Sequence, residues 1–495
     1  MRVSILNPLA FGGTMALSIT RLDSCLSVRG GRLFVEDCDA AELARRHGTP
    51  VYVISEDQLR RNIRRITEAF RTRWPDGPVH VLPSIKANYS LALRWILSQE
   101  GAGCDAFGGA ELEAALRGGT RPELISLNGP KGQEAVDRAV EVGARITLDA
   151  AAELDLVRRA VEASGRTAIV RPRIRPDLTT LTQPSDWLEE EVPVATVAQQ
   201  YKAGIPKEDL IALGPELLAA DGVRVSGVHV HVGRHRPEPE YWRQVIREIV
   251  GVLAEVREAW GGWVPAEIDV GGGIPVPRDP FGRGIPRLRD RPVARTSIED
   301  YAGVITGSMR DELRAAQFRT EGVTLEVEPG RALYGDAGVH LATVRNVKEQ
   351  TTPFPWRWVE TDTSENFLPD TILEHNRWSF VVANKMDRPA VMQADLVGCS
   401  CNPDRIVPEA DLPEVEPGDV VAFLDTGAYQ DALATNFNAL VRPATVLVTG
   451  DRSEVIKRRE TLEDVLHRDV VPRRLVSGAP AGEHMATARA SPESS

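Results

Sequence analysis

The stretch GCDAFGGAELEAALRGGTRPELISLNGPKGQEAVDRAVEVGARITLD, residues 103–149, alternates three short apolar runs with two segments of helical period. The runs end near Asp105, Asn128 and Asp149, and the helical segments are Gly109–Arg117 and Gln133–Val142. Strands that alternate with helices at this spacing are typical of βα units around a parallel sheet. The stretch therefore predicts an α/β domain.

The same alternation extends outward in both directions, from about Val51 to Glu328, and adds five more predicted strands. They end near Lys86, Arg173, His231, Val270 and Glu328. Eight units over about 280 residues favour a closed (β/α)8 barrel of the TIM type over a doubly wound open sheet. Two longer spacings, Pro176–Val223 and Pro275–Gly322, are predicted to be loop insertions that shape a binding face.

After Leu333 the helical segments stop and short β-like runs follow one another, which predicts a C-terminal all-β domain. The runs are Val339–Val347, Trp356–Thr361, Phe380–Val382, Ala390–Val397, Val420–Leu424 and Ala444–Val448. Leu26–Val35 is predicted to form a hairpin that joins this β-domain. The expected division is an extension over 1–24, a strand segment over 25–50, the barrel over 51–332, the β-domain over 333–450 and a partly disordered tail over 451–495.

Composition limits the possible partners. The 495 residues carry a net charge of −12 and contain no polybasic stretch, which disfavours nucleic acid and anionic membranes and favours small molecules or proteins. No apolar run reaches the ~20 residues that span a bilayer. The five cysteines are an odd number, and Cys399 and Cys401 are too close for a relaxed disulfide. A reducing cytoplasm is the expected location.

Four unusual motifs fall at predicted strand C-termini, the end of a barrel at which active sites form. They are Lys86-Ala87-Asn88, His229-Val230-His231-Val232-Gly233, Gly271-Gly272-Gly273 and Glu328-Pro329-Gly330-Arg331. Each alone is common on protein surfaces, but together they match what pyridoxal phosphate needs: a lysine amine, a glycine turn for the phosphate, a carboxylate for the pyridine nitrogen and a flat imidazole. A metal site built on the two histidines is disfavoured because no third ligand has suitable spacing.

With these motifs, the chain resembles the fold type III pyridoxal-phosphate decarboxylases, the group of diaminopimelate and ornithine decarboxylases, from about Leu26 to Arg442. The further matching pieces are Gly48-Thr49-Pro50, Gly103-Cys104-Asp105, Glu111-Leu112, Asp269–Gly273, Gly398–Asp404 and Gly427-Ala428-Tyr429. The resemblance implies a barrel with a β-domain, pyridoxal phosphate as cofactor and a homodimer with shared active sites.

The resemblance also implies roles for single residues. Lys86 matches the lysine that forms a Schiff base with the cofactor, His231 the histidine that stacks on its ring, and Glu328 the partner of the pyridine nitrogen. The phosphate contacts implied are Gly271, Gly272, Gly273, Arg331 and Tyr429.

Cys401 matches a cysteine that enters the site from the neighbouring subunit and helps to protonate the substrate carbon after CO2 leaves, and Tyr429 is expected from the same neighbour. A buried structural thiol is the alternative for Cys401. Asp105 is either a support for the lysine or a strand-end cap.

Three departures from the family pattern concern ligand contacts. Arg234 stands where members carry serine, and it either replaces a phosphate contact with a direct, bidentate one or is a loop arginine that points to solvent. The stretch Asn366–Asp370 lacks the arginine that holds the distal carboxylate in diaminopimelate decarboxylases, and Asn402 replaces a glutamate after the cysteine. A substrate that ends in an amine is therefore expected to meet a carboxylate, for which Asp370, Glu374 and Asp404 are candidates.

The expected function is decarboxylation of an amino acid, or of an intermediate that bears one, through Lys86. A racemase is the first alternative, but related racemases place arginine where this chain has Glu328, and a carboxylate keeps the pyridine nitrogen protonated and so favours loss of CO2. A non-catalytic homologue that acts as a binding protein is the second alternative, and the presence of Lys86 and Cys401 disfavours it. The sequence leaves the substrate open.

Overall fold

The computed structural model describes residues 25–176, 182–184, 191–193, 202–231, 239–275, 297–374, 376 and 378–476. The expected N-terminal extension, Arg234, the end of the tail and parts of both predicted insertions lie outside the described residues.

Eight parallel strands form a closed barrel, as the alternating pattern predicted. They are Val79–Val81, Cys104–Phe107, Ile125–Asn128, Arg145–Leu148, Ala168–Pro172, Val223–Val225 with its continuation Gly227–His229, Glu267–Asp269 and Thr324–Val327. Hydrogen bonding divides them into a five-stranded and a four-stranded group, because Val223–Val225 belongs to the first group and its continuation Gly227–His229 to the second. Parallel bridges between Ser84 and Asp105 and between Arg173 and His229 join the two groups, so the ring has no open edge.

Helices surround the barrel and bury their apolar stripes against it. They are Glu56–Arg71, Leu91–Gln99, Gly109–Arg117, Gln133–Val142, Glu153–Ser164, Lys207–Leu218, Glu240–Ala259 and Ile298–Ala315. Local signals set their ends: Ser297 forms a capping box with Asp300, and Gly143 ends its helix in the left-handed conformation that glycine tolerates. The helix that the sequence predicted over 151–161 begins two residues later.

The β-domain is built on a nine-stranded sheet. Its strands are Val51–Ser55, Gly338–Gln350, Trp356–Thr361, Phe380–Val382, Met392–Val397, Arg405–Leu412, Val420–Leu424, Ala444–Thr449 and Arg452–Lys457. Six of these match predicted runs closely. Arg405–Leu412 was missed, since it contains Pro408 and alternating charges that hide its pattern.

Two boundary predictions were wrong. Val51–Ser55 was expected to begin the barrel, but it pairs with residues 338–341 and with Ala444–Val448 inside the β-domain sheet. The tail was expected from residue 451, yet Arg452–Lys457 is the edge strand beside Ala444–Thr449. Strand pairing between residues nearly 400 positions apart has no local sequence signal, which explains the first error.

The predicted hairpin forms, but in a sheet of its own. Leu26–Arg29 and Arg32–Val35 pair with each other, and Cys38–Asp39 adds a third strand. The small sheet packs its apolar face on the β-domain sheet rather than extending it, and the Leu33 N–H donates to the Ala383 carbonyl at 2.7 Å.

Shorter elements complete the described chain. The remaining helices are Ala40–His47, Arg331–Tyr334, Asp370–Leu373, Gln430–Leu433, Leu462–Leu466 and Arg473–Val476. Ile174–Arg175 pairs with Ile205–Pro206, and Thr182–Pro184 with Glu191–Pro193. Among the helices of the described residues, none has the length and apolar character that a membrane span requires.

Candidate active site

Lys86 lies at the C-terminal mouth of the barrel, on the short turn Ile85–Ala87 that follows the first barrel strand. Its Nζ atom lies 3.5 Å from Asp105 Oδ2, and its side chain is 44% exposed while that of Asp105 is 3% exposed. A buried carboxylate therefore orients the amine, while the lysine side chain stays accessible at the mouth, as a nucleophile must be.

Asp105 is held by three donors around its carboxylate. Ser84 Oγ donates to Oδ2 and Asn128 Nδ2 to Oδ1, both at 2.6 Å, in addition to the contact with Lys86. Burial opposes its ionisation, but the lysine charge and the two hydrogen bonds outweigh burial and lower the pKa of Asp105 to about 2. Of the two roles that the sequence left open, support of the lysine matches this geometry.

Glu328 lies across the mouth from Asp105 and is joined to it through Asn128. The same Asn128 amide donates to Glu328 Oε1 at 2.7 Å, and His229 Nε2 lies 3.3 Å from the carboxyl group. Burial, together with the nearby charge of Asp105, raises the pKa of Glu328 to about 8. Burial lowers the pKa of His229 to about 3, so the pair consists of a neutral imidazole and a carboxyl group that retains a proton near neutral pH.

His231 faces the same space from just beyond the strand that ends at His229. Its Nδ1 atom accepts from the Gly272 N–H at 3.1 Å and lies 3.9 Å from Glu328 Oε2, and its side chain is 23% exposed. Burial and the charge of Lys86 lower the pKa of His231 well below its usual value, which leaves a neutral ring. A neutral, partly open imidazole can present its face to a flat ligand.

The turn Gly271–Gly273 has no room for side chains at its first two positions. Gly271 has a φ of +73°, and a Cβ there would lie 2.6 Å from the Val230 carbonyl oxygen and 2.7 Å from His231 Nδ1. A Cβ at Gly272 would lie 2.3 Å from the Glu328 carbonyl oxygen. Bare backbone beside a lysine and a carboxyl group provides the cradle that a phosphate requires, so these residues fit pyridoxal phosphate.

The sequence disfavoured a metal on His229 and His231 because no third ligand had suitable spacing. The structure instead brings His229 together with Asp269 and Glu328. Ligand atoms of His229, Asp269 and Glu328 lie within 4.8 Å of one another and are buried. Asp269, however, already pairs with Arg171 at 2.8 Å and accepts from the Gly271 N–H at 2.9 Å. A metal ion would therefore have to displace Arg171 from Asp269 and a proton from Glu328, whose pKa burial raises to about 8.

Tyr429 belongs to the site of its own chain, contrary to the expectation that a neighbour supplies it. Its N–H donates to the Ala87 carbonyl at 2.7 Å, directly after Lys86. A Cβ at Gly330 would lie 2.8 Å from the Tyr429 hydroxyl, so the two segments are closely packed. Tyr429 has a φ of +69°, which places its ring against the barrel mouth at the cost of a strained backbone.

Two residues predicted to contact ligands are also paired with each other. Arg331 Nη2 lies 2.7 Å from Asp370 Oδ2, and both side chains are almost fully buried. Arg331 was expected on the phosphate and Asp370 on a substrate amine, yet each neutralises the other's charge inside the chain. Short stretches of sequence do not reveal this pairing, since Asp370 lies 39 positions after Arg331 and in the other domain.

Of the predicted residues around Cys401, Cys401 and Asn402 lie at the surface of their loop and Asp404 lies beneath it. Cys401 is exposed, its N–H donates to Asn438 Oδ1 at 2.9 Å, and the Asn402 amide donates to Glu365 Oε1 at 2.6 Å. Asp404, expected as a substrate contact, is buried and accepts from the N–H groups of Glu365 and Ser400 at 2.7 and 2.8 Å. Asp404 therefore fixes the loop that presents the other residues.

Sequence reasoning missed Asn128 and Glu365 as members of these clusters. Asn128 ends a predicted strand, and that position was a usable signal for a residue at the mouth of a barrel. Glu365 had no comparable signal, because its place beside Asn402 depends on a contact over 37 positions. Burial raises the pKa of Glu365.

A closed parallel barrel with a lysine, a buried carboxyl group and a bare glycine turn at its C-terminal mouth defines an enzyme that binds pyridoxal phosphate. Comparison with known proteins narrows the class. Residues 56–335 match the family model described as "Pyridoxal-dependent decarboxylase, pyridoxal binding domain". The chain belongs to this family, the fold type III pyridoxal-phosphate-dependent decarboxylases.

Known relatives match this chain along most of its length. Diaminopimelate decarboxylase from Methanocaldococcus jannaschii is 30% identical over 458 residues, which cover 91% of this chain and 98% of the relative. The enzyme of the same name from Archaeoglobus fulgidus is 29% identical over 90% of this chain and 99% of the relative. The crystal structure of the M. jannaschii enzyme in complex with L-lysine superposes with a TM-score of 0.80 at 28% identity, over 91% of this chain and 99% of that one. The protein is thus a pyridoxal-phosphate-dependent amino-acid decarboxylase, a carboxy-lyase.

Proposed function

We propose that this chain decarboxylates an α-amino acid at the barrel mouth, with Lys86, Glu328 and the Gly271–Gly273 turn as its cofactor site. The observation that supports this most directly is the Asn128 amide, which links the aspartate beside Lys86 to Glu328 in one hydrogen-bonded unit. Pyridoxal phosphate, when bound, withdraws electrons from the bonds at the substrate's α-carbon.

Each residue has a distinct task in this proposal. Lys86 would hold the cofactor through its amine, and Asp105 keeps the lysine oriented. Glu328 would hold a proton for the ring nitrogen, because burial and the charge of Asp105 raise its pKa to about 8. His231 would pack on the ring, and Tyr429 would contact the phosphate.

We further propose a homodimer in which the loop with Cys401 completes the site of the partner subunit. The described hydrogen bonds of this loop involve the β-domain, while Cys401 itself is exposed and so accessible to a second chain. There the thiol would donate a proton to the substrate carbon after CO2 departs.

Complementation tests the shared site. Lys86→Ala and Cys401→Ala should each be nearly inactive, and mixing the two proteins under subunit exchange should restore activity in those sites that combine one intact Lys86 with one intact Cys401. Mixing Lys86→Ala with Lys86→Ala/Cys401→Ala is the control and should restore none. Absence of recovery in the first mixture, with dimers exchanging freely, would refute the shared site.

For the substrate, the diaminopimelate decarboxylase relatives suggest an amino acid with a second polar end. We propose that this end is not a carboxylate, since Asn366–Asp370 contains no arginine and Arg331 is paired internally.

We propose the cytoplasm as the site of action, with which the five free cysteines are consistent.

The deciding experiment incubates the cofactor-loaded protein with basic, acidic and neutral amino acids and measures amine product and CO2 by mass spectrometry. Amine from at least one of them, lost in Lys86→Ala, would establish decarboxylation. Inversion of the α-carbon without release of CO2 would identify a racemase instead, and a protein that neither binds the cofactor nor turns over any substrate would indicate a binding protein.

A further inference from the structure

Arg331 and Asp370 form a buried ion pair where the barrel meets the β-domain. Arg331 Nη2 lies 2.7 Å from Asp370 Oδ2, with side chains 4% and 2% exposed. Gln430 Nε2 donates to the same Asp370 oxygen at 2.8 Å, and the Asp370 N–H donates to Gln430 Oε1 at 3.3 Å. The aspartate is therefore held in place from two sides and cannot swing away without losing several hydrogen bonds.

This pair lies directly behind the active-site lysine. The Arg331 guanidinium stacks 4.8 Å from the centre of the Tyr429 ring, and the Tyr429 N–H binds the Ala87 carbonyl next to Lys86. On the other side, a Cβ at Gly330 would lie 3.5 Å from the Ala87 Cβ. Tyr429 and Gly330 thus connect the Arg331 segment to the turn that carries Lys86.

A buried arginine without a counter-ion attracts any carboxylate that can reach it, because an unpaired charge in a low-dielectric site is unfavourable. Asp370 removes that attraction from within the chain. It also makes a second carboxylate unwelcome, since the newcomer would meet the negative charge of Asp370.

We infer that Asp370 is a specificity-determining residue, which acts through Arg331 to exclude amino acids with a distal carboxylate and to admit those with an uncharged or cationic end. Asp370 does not touch the substrate in this arrangement and is a positioning residue. The inference rests on the proposed decarboxylase function and specifies the substrate class for the same site.

The test compares binding of three amino acids of similar length to the cofactor-loaded protein: L-2-aminoadipate, L-norleucine and L-lysine. Binding is followed by the change in the visible absorbance of the cofactor, so turnover is not required. In the Asp370→Asn variant, which keeps the shape and the contact with Gln430, the dissociation constant for aminoadipate should fall at least about tenfold relative to norleucine, as a charge-assisted hydrogen bond implies. In the unaltered protein aminoadipate should bind no better than norleucine.

The double variant Arg331→Gln/Asp370→Asn is the matched control, because it removes both charges and keeps a hydrogen-bonding side chain at each position. It should return the aminoadipate-to-norleucine ratio to that of the unaltered protein. Added aminoadipate should also raise the melting temperature of Asp370→Asn more than that of the double variant, because ligand binding to the native state stabilises it.

Two results would overturn the inference. One is an unchanged aminoadipate-to-norleucine ratio in a folded Asp370→Asn protein. The other is a change in cofactor affinity with no change in that ratio, which would assign the ion pair to the cofactor. Failure of the proposed function looks different: none of the three amino acids would then perturb the cofactor in any variant, including the unaltered protein.

Discussion

The Asn128 side-chain amide donates a hydrogen bond of 2.7 Å to Glu328 across the barrel mouth, between residues 200 positions apart. The same nitrogen donates to Asp105 at 2.6 Å. One neutral amide therefore separates two buried carboxyl groups, satisfies an acceptor on each and holds three strand ends at fixed distances. A carboxylate in its place could donate neither hydrogen bond.

Replacing that amide with an acid should be costly. Asn128→Asp places a third carboxyl group between two others, and we expect the free energy of unfolding of the cofactor-free protein to fall by about 3 kcal/mol. Urea unfolding at neutral pH measures it. Asn346→Asp is the control, because the Asn346 amide also donates to a carboxylate, that of Glu360 at 3.1 Å, but at an exposed position. Its free energy of unfolding should fall by less than about 1 kcal/mol. Similar small losses in both variants would show that the Asn128 link is unimportant.

The raised pKa of Glu328 predicts how stability depends on pH. A carboxyl group with a pKa of about 8 in the folded chain, against about 4.3 in the unfolded chain, binds its proton more tightly when folded. Its contribution to stability is therefore complete below the unfolded value and is lost as pH rises through about 8. Cofactor-free protein should become less stable from pH 5 to 8.5, and Glu328→Gln should show a smaller decline.

Urea unfolding at several pH values measures both slopes, with Glu123→Gln as the control at a side chain that is 60% exposed. Glu123→Gln should retain the full slope of the unaltered protein. A slope in Glu328→Gln as steep as in Glu123→Gln would contradict the prediction.

Gly271 should tolerate no side chain. Gly271→Ala introduces a Cβ 2.6 Å from the Val230 carbonyl oxygen at a φ of +73°, so the turn and His231 must move. We expect cofactor affinity to fall by at least about tenfold, which corresponds to about 1.4 kcal/mol. Fluorescence titration of the cofactor-free protein measures it. Gly132→Ala, at a φ of −90° with nothing within 4 Å of the added Cβ, should bind the cofactor normally. An equal affinity in the two variants would remove the turn from the cofactor site.

The sequence was sufficient for the barrel because each βα unit carries its own local signal. Gly109–Arg117 and Gln133–Val142 have the predicted bounds, and Trp356–Thr361 in the β-domain does as well. Local patterns are a poor guide where a strand joins a distant sheet. Val51–Ser55 is rich in β-branched residues and buried at every position, and its pattern fits a buried strand of either sheet.

For the candidate site, the motifs placed Lys86, His231 and Glu328 correctly at one mouth, because strand C-termini converge there. The charge partners were not predictable in the same way. Asp370 and Arg331 are each plausible ligand contacts by residue type, and only the fold shows that they meet. The sequence gives the residues at a mouth, but tertiary packing decides which of them are still available to a ligand.

Substitution of Arg171 should lower both the stability of the barrel and its affinity for the cofactor. Arg171 lies in the barrel interior, where it pairs with Asp269 at 2.8 Å and also with Glu326, and none of the three side chains is exposed. Arg171→Met keeps a similar length but leaves the buried Asp269 without its cation and leaves Glu326 to its pair with Arg145. We therefore expect a loss of about 3–5 kcal/mol in unfolding free energy. Since Asp269 also accepts from the Gly271 N–H, cofactor affinity should fall in parallel.

The control is Arg138→Met, which removes two surface ion pairs: one of 2.7 Å with Glu113 and one of 2.8 Å with Glu141. The Arg138 side chain is 40% exposed. Ion pairs in contact with water contribute less than about 1 kcal/mol, so this variant should unfold and bind the cofactor almost as the unaltered protein does. Urea unfolding and fluorescence titration of the cofactor measure the two effects separately. If Arg171→Met lost stability but kept full cofactor affinity, the network would support the barrel alone, and Asp269 would not be the link between the interior and the glycine turn.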